Sequence, residues 1–189
     1  NIFLMIVILI YWVANFLYSV VLKETVIVDV MFIGLSFVLR VIAGTLISEV
    51  SPSNWLLLVT FFLALFLAVG KRRQELQLYI KNGEGSRPVL KEYASPMLEQ
   101  LLPVLAGLTI IVYSIYAISQ HAVGQFGSGL LVTVPFVVYG LFRYLHLIYR
   151  YGVGEDPADL LVKDRSMAVC VTLWAVLCVV IVYWGRVLQ

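Results

Sequence analysis

The sequence predicts an all-α integral membrane protein of about six transmembrane helices, and three observations carry that prediction. First, the chain is 62% hydrophobic and only 13% charged, with a mean hydropathy of +0.99. Globular domains carry roughly 45–50% apolar and about 25% charged residues. A chain of 189 residues has no soluble core large enough to hide that excess. Second, the apolar runs are about 17–22 residues long, enough to cross the hydrocarbon as helices rising about 1.5 Å per residue. Third, the runs do not alternate polar and apolar with period two, as barrel strands do. A segment in lipid must satisfy its backbone groups internally, and a helix does so alone.

The spans are read at about 2–22, 26–48, 54–70, 97–119, 129–149 and 166–186. Lys23 and Glu24 interrupt the first pair and make a short hairpin. Glu49 to Asn54, with Pro52 and Ser53, separates the second and third spans as a turn and helix start. The stretch from Lys71 to Ser95, containing Asn82-Gly83-Glu84-Gly85-Ser86-Arg87-Pro88, is too polar for lipid. Gln120 to Gly129 reads as a short glycine-containing turn. Gly152 to Ser166 is a second polar loop, holding Glu155, Asp156, Asp159, Lys163, Asp164 and Arg165. No internal repeat or low-complexity tract divides the chain, so residues 1–189 read as one membrane domain. Asn1 falls inside an apolar run, with no initiator Met, no charged leader and no small-residue cleavage site. The expectation is a fragment of a larger membrane protein.

The charges set the orientation. Lys23, then Lys71, Arg72, Arg73, Lys81, Arg87 and Lys91, then Arg150, Lys163 and Arg165, all fall in every second connection. The connections around Glu49 and His121 hold no Lys or Arg. The positive-inside rule places the basic loops in the cytoplasm, with Arg186 alone on the other side. The expected location is the plasma (inner) membrane, with no nucleic-acid partner. Cys170 and Cys178 are eight positions apart on one helix, about 12 Å by helical rise, too far for a disulfide.

A charge in mid-span is the sharpest chemical signal available, because burying one costs at least about 2.5–3.5 kcal/mol on insertion scales. Arg40 is such a residue. Asp29 lies eleven positions, three turns of helix, before it, and Ile33, Ser36 and Gly44 share the same face. Two readings stand for this face: a substrate cavity wall, or an interfacial Asp29 with Arg40 paired to a polar group on a neighbouring helix. On the fifth span, Tyr139, Arg143, His146 and Arg150 follow one another at spacings of four, three and four. This stripe either binds phosphate through its arginine forks or snorkels to the membrane surface. At the end of the third span stands Gly70-Lys71-Arg72-Arg73-Gln74-Glu75-Leu76, with Lys71 and Glu75 spaced to pair on one helix turn. By composition it is a topology anchor, with lipid-headgroup binding the other reading. No spacing matches a His/Cys metal site or a Ser/His/Asp set.

In order, Tyr18-Ser19-Val20-Val21-Leu22-Lys23, Leu39-Arg40-Val41-Ile42-Ala43-Gly44, Ser53-Asn54-Trp55 and Phe66 to Leu76 resemble the UbiA-type prenyltransferase superfamily. The chain is most similar to its bacterial decaprenyl-phosphate phosphoribosyltransferase branch. Asp156-Pro157-Ala158-Asp159 with Lys163-Asp164-Arg165 resembles that branch's last cytoplasmic loop. The resemblance implies nine helices around a central cavity, of which these six would be the last six. It also implies magnesium on an aspartate-rich motif, Asn-Asp-x-x-Asp-x-x-x-Asp, between the second and third helices. That motif is absent here, so no metal ligand is assigned in this chain, and the chain alone is expected to be inactive. Where prenyltransferases keep a second aspartate motif, this chain has Lys71, Arg72 and Glu75, as the phosphoribosyl branch does.

The implied reaction moves 5-phosphoribose from phosphoribosyl diphosphate to a polyprenyl phosphate, a step toward arabinan-type cell-wall precursors. Lys71 and Arg72 are then expected to hold phosphate groups, with Glu75 orienting them. Lys23 is expected on the ribose phosphate and Arg40 on the lipid phosphate, with Arg143 and Arg150 as further phosphate candidates. The alternatives are a UbiA-type transferase that moves a polyprenyl group to an aromatic or other acceptor, and a non-enzymatic membrane subunit. The charge distribution makes its own prediction: Gly83→Cys should resist a membrane-impermeant thiol reagent in intact cells, and Gly127→Cys should react. The reverse pattern would overturn the orientation.

Overall fold

Each long apolar run becomes a helix in the computed structural model, which describes residues 2–20, 22–48, 50–82, 93, 95–151, 159 and 163–187. In chain order these are α1 (Ile2–Val20), a 3-10 turn (Leu22–Glu24), α2 (Val28–Ile47), α3 (Asn54–Asn82) and α4 (Ser95–Ile118). Then come the short α5 (Gln120–Phe126), a 3-10 segment (Gly127–Thr133), α6 (Val134–Tyr151) and α7 (Arg165–Val187). Six of these stretches are long and apolar enough to cross a membrane, and no strand occurs among the described residues. The predicted all-α membrane class stands.

Two boundaries differ from the sequence reading. α3 does not stop at Gly70 but continues through Asn82, carrying Lys71 to Lys81 with it. Nothing in that polar stretch breaks a helix until Gly83, and lipid is not needed where side chains pair. The segment from Gln120 to Gly129, read as a turn, is α5 running into the 3-10 segment. Ser119 caps α5 by accepting from the Ala122 N–H at 3.3 Å, and Gly127 ends it at φ 65°, a conformation suited to glycine.

α3 is the central helix, packed between α2 and α4, while α1 lies against α2 and buries no residue. The core joins Phe66, Leu98, Leu102, Tyr144 and Ile148 from α3, α4 and α6. Phe66 and Tyr144 pack as a tilted ring pair, centroids 5.1 Å apart. Glycine is required at position 70, because a Cβ there would stand 2.7 Å from the Tyr144 hydroxyl oxygen. The seat on α3 for the Tyr144 side chain of α6 is thus written into the same motif that carries Lys71 and Arg72.

α6 and α7 are clamped at one end by a two-pronged ion pair. Arg143 donates from Nε and Nη2 to Asp164 at 3.2 and 2.7 Å, and Asp164 also caps α7 by accepting from the Met167 N–H at 2.8 Å. The Arg143 hydrogen bond, with the Met167 N–H, holds the Asp164 carboxyl below its ordinary range despite some desolvation. A depressed carboxyl contributes stability that is present above its unfolded pKa and disappears as pH falls through the folded one. The wild-type protein should therefore melt higher than Asp164→Asn in detergent at pH 7. The gap should shrink as pH falls below about 4, through the lowered pKa of the folded Asp164, where the wild-type carboxyl becomes protonated in both folded and unfolded states. An unchanged gap at pH 3 would remove the ion pair as its cause.

Candidate active site

Asp29, fully buried near the start of α2, is the point where three distant segments meet. Arg72 of α3 donates from Nε to its Oδ2 at 2.6 Å, and the hydroxyl of Tyr93 donates to its Oδ1 at 2.5 Å. Tyr93 stands two residues before α4 and also accepts the Ile27 N–H at 2.8 Å. Burial, with the hydrogen bond to the Asp29 carboxylate, pushes the Tyr93 phenol well above its ordinary value, so it stays a donor. Arg72 reaches the other way as well, from Nη1 to Glu75, one turn along α3. The guanidinium is 1% exposed and lies between two carboxylates. Such a buried charge is tolerated because both acids pair with it, while the phenol satisfies the second oxygen of Asp29.

Beside this cluster lies a cavity of about 760 Å³ between α2, α3, α4, α6 and α7. Its wall is aliphatic and aromatic, with Ile33 and Phe37 from α2, Leu56 to Ala68 on one face of α3, and Tyr113 and Trp174 opposite. Along α3 it runs from Leu56 to Lys71, fifteen residues or about 22 Å by helical rise. Among the described residues lining it, Lys71 alone is charged. Deeper in the wall, Tyr113 meets Thr133 at 2.6 Å and accepts from Trp174 Nε1 at 3.1 Å, tying α4, the 3-10 segment and α7 together.

The structure thus sorts the predicted residues. Lys71, Arg72 and Glu75 stand together, Lys71 at the cavity and Arg72 behind it, committed to its two acids. Lys23 sits half-buried in the 3-10 turn that leads into α2 at the same end of the bundle. Arg40 corrects the cavity-wall reading. Its side chain is exposed and outside the cavity lining, donating to the Tyr11 hydroxyl of α1 at 3.0 and 2.7 Å. Its guanidinium also lies over the rings of Phe37 and Tyr11, 4.8 and 5.4 Å from their centroids. The face it shares with Asp29 is buried at Asp29 and Ser36 but opens by Arg40 and Gly44, where α1 supplies the partner. Asp29 in turn is not interfacial, as the second reading had it, but wholly enclosed.

On α6, Tyr139, His146 and Arg150 are exposed as a stripe, and Arg143 within it is committed to Asp164. Arg73, which the sequence reading left aside, is buried and donates to the Ile148 carbonyl at 3.3 Å and to Glu99 at 3.4 Å. Tyr93 was not found from sequence, since nothing local marks a tyrosine whose partner is 64 positions away. The calls on Glu49, Arg87, Lys91, Glu155 and Asp156 lie outside the described residues. Among the described residues, no three His, Cys, Asp or Glu side chains converge as a metal site.

No protein-family model matches the chain. A decaprenyl-phosphate phosphoribosyltransferase of Mycolicibacterium smegmatis is 30% identical over 179 residues, 90% of this chain and 56% of that protein. The protein of that name from Mycobacterium tuberculosis is 27% identical over 172 residues, again 90% and 56%. That of Corynebacterium glutamicum is 27% identical over 169 residues, 85% and 48%. The chain spans about half the length of the curated relatives it matches. The resemblance drawn from the residues therefore holds: over nine-tenths of its length, this multi-pass membrane chain is similar to proteins named decaprenyl-phosphate phosphoribosyltransferase.

Proposed function

We propose that this chain forms the lipid-holding and anion-binding part of a transferase that moves 5-phosphoribose from phosphoribosyl diphosphate to a polyprenyl phosphate. The observation that carries the reading is the cavity, apolar along its length with Lys71 as its charged lining residue. That combination suits a long hydrocarbon with one anionic end: the tail replaces lipid contacts and the phosphate meets an ammonium. The relatives' name supports the same pairing of a polyprenyl phosphate with a phosphoribosyl group.

In this reading an oxygen of the lipid phosphate attacks C1 of the ribose. The C1–oxygen bond to diphosphate breaks, and its electron pair leaves with the diphosphate. The lipid phosphate is already anionic, so the protein need not activate a nucleophile. Its task is to bring two polyanions together and to favour the charge that gathers on the leaving group. Lys71 serves the lipid phosphate, and Lys23, in the neighbouring turn, serves the soluble substrate. Arg72 holds Glu75 and fixes the helix turn that aims Lys71, because reaching a phosphate would break its bond to Asp29. Magnesium, when bound, supplies further neutralisation of the diphosphate. Arg40 and Arg143 act here as clamps between helices, and Arg150 remains an exposed phosphate candidate at the end of α6. The basic end of the bundle faces the cytoplasm, where the soluble substrate would be met.

Two substitutions separate contact from support, assayed in membranes holding the full gene product with labelled phosphoribosyl diphosphate and polyprenyl phosphate. Lys71→Ala should lower kcat/KM at least tenfold, about 1.4 kcal/mol of transition-state stabilisation, with a smaller loss of melting temperature than Arg72→Ala. Arg72→Ala should instead destabilise the protein by about 3–5 kcal/mol, because it leaves Asp29 buried without its counterion. Full transfer by Lys71→Ala, or label appearing only as a prenylated acceptor, would overturn the reading.

A further inference from the structure

The backbone at Ile27 is out of the ordinary. Its φ of 68° and ψ of −44° lie near the strained γ-turn, and among the described residues it is the sole non-glycine at positive φ. A β-branched residue avoids that region, so something must hold it there. Its own side chain does not, being 43% exposed. Two hydrogen bonds hold it: the Asp29 N–H donates across it to the Thr25 carbonyl at 3.1 Å, and the Ile27 N–H itself donates to the Tyr93 hydroxyl at 2.8 Å. Tyr93 is 5% exposed and spends its own proton on Asp29, the carboxylate that also receives Arg72.

Ile27 is the pivot between the 3-10 turn carrying Lys23 and the first turn of α2. Before it, the Thr25 N–H donates to the Leu22 carbonyl at 3.2 Å. After it, the Met31 N–H donates to the Ile27 carbonyl at 2.9 Å. Fixing the Ile27 torsion therefore fixes the direction in which the Lys23 turn leaves the helix. Through Asp29 and Arg72 the same hydroxyl is tied to the turn of α3 that bears Lys71.

We propose that the Tyr93 hydroxyl is a positioning group: by holding Ile27 in its strained torsion against the Asp29–Arg72 pair, it sets where Lys23 stands relative to Lys71. This goes beyond the transfer reading but rests on it for its kinetic consequence, the binding of the soluble polyanion. Tyr93→Phe keeps the ring in its buried seat and removes only the oxygen. The Ile27 torsion then rests on the Asp29 N–H to Thr25 carbonyl bond alone, one hydrogen bond in place of two, and the Lys23 turn shifts.

The test uses the full gene product in membranes. In Tyr93→Phe, KM for phosphoribosyl diphosphate should rise at least fivefold with kcat within twofold. In an Ile27→Gly background the same change should raise KM less, because glycine adopts positive φ without help. Independently of any substrate, Thr25→Cys should react with a soluble maleimide at least threefold faster in the Tyr93→Phe protein. If Tyr93→Phe accumulates only together with Ile27→Gly, that too supports the strain coupling. Additive effects of the two substitutions, unchanged maleimide reactivity, a fall in kcat and melting temperature with KM intact, or failure of both variants to accumulate would each overturn it. Faster labelling in a protein whose wild type transfers no phosphoribose would sink the transfer reading while leaving the positioning role in place.

Discussion

A carboxylate with no access to water must be matched from within, and Asp29 is matched by residues that the chain delivers from two distant places. The desolvation of each buried ion costs several kcal/mol, offset only when geometry and hydrogen bonds are good. Here Arg72 arrives from α3 at 2.6 Å and Tyr93 from the approach to α4 at 2.5 Å. The match fixes the register of α2 on α3 more tightly than apolar contacts between them would, because a slip of one residue would strand a charge. Gly34, where a Cβ would stand 2.9 Å from the Phe61 ring, lets α2 approach α3 along this seam, and Gly70 leaves room on α3 for the Tyr144 hydroxyl of α6.

From that constraint follows the division of the bundle. One end is held by charge: Asp29 with Arg72, Arg73 with Glu99 and Ile148, Arg143 with Asp164. The depth of the bundle is held by apolar packing, with few polar groups, and those, such as Tyr113 with Thr133 and Trp174, bonded to one another. The cavity bridges the two regimes, apolar from Leu56 onward and charged where it reaches Lys71.

The helices were legible in the sequence because their signal is local: a run of apolar residues and the charges that bound it. The extension of α3 to Asn82 was missed because polarity was read as an end, whereas a helix can leave lipid without stopping. Of the site, the Gly70 to Glu75 string was visible as a motif. What the residues within it do was not visible, since Lys71 and Arg72 are neighbours in sequence and about 100° apart around the helix. That rotation sends one to the cavity and the other to Asp29. Of the two readings for Arg40, pairing with a polar group on a neighbouring helix is the one found and the cavity wall is not, for a related reason: periodicity places it on the Asp29 face but does not say which helix covers that face at its level, and there it is α1. Tyr93 and the Ile27 torsion depend on contacts more than sixty residues apart, for which one sequence holds no trace.

The order of lysine and arginine in the motif follows from the same rotation. The inner position must satisfy two carboxylates in fixed directions, and a planar guanidinium with separate donors does so from one side chain: Nε to Asp29, Nη1 to Glu75. An ammonium there would be a point charge unable to span both. The cavity position has the opposite need. An anion that enters and leaves is better met by a flexible stem whose charge can follow it, and whose methylenes suit an apolar wall. Exchanging the two residues would keep the composition, the net charge and the topology signal of the loop. It would also place a side chain of the wrong geometry at both positions, which is why the pair has to be understood as two roles on one turn of helix rather than as a basic patch.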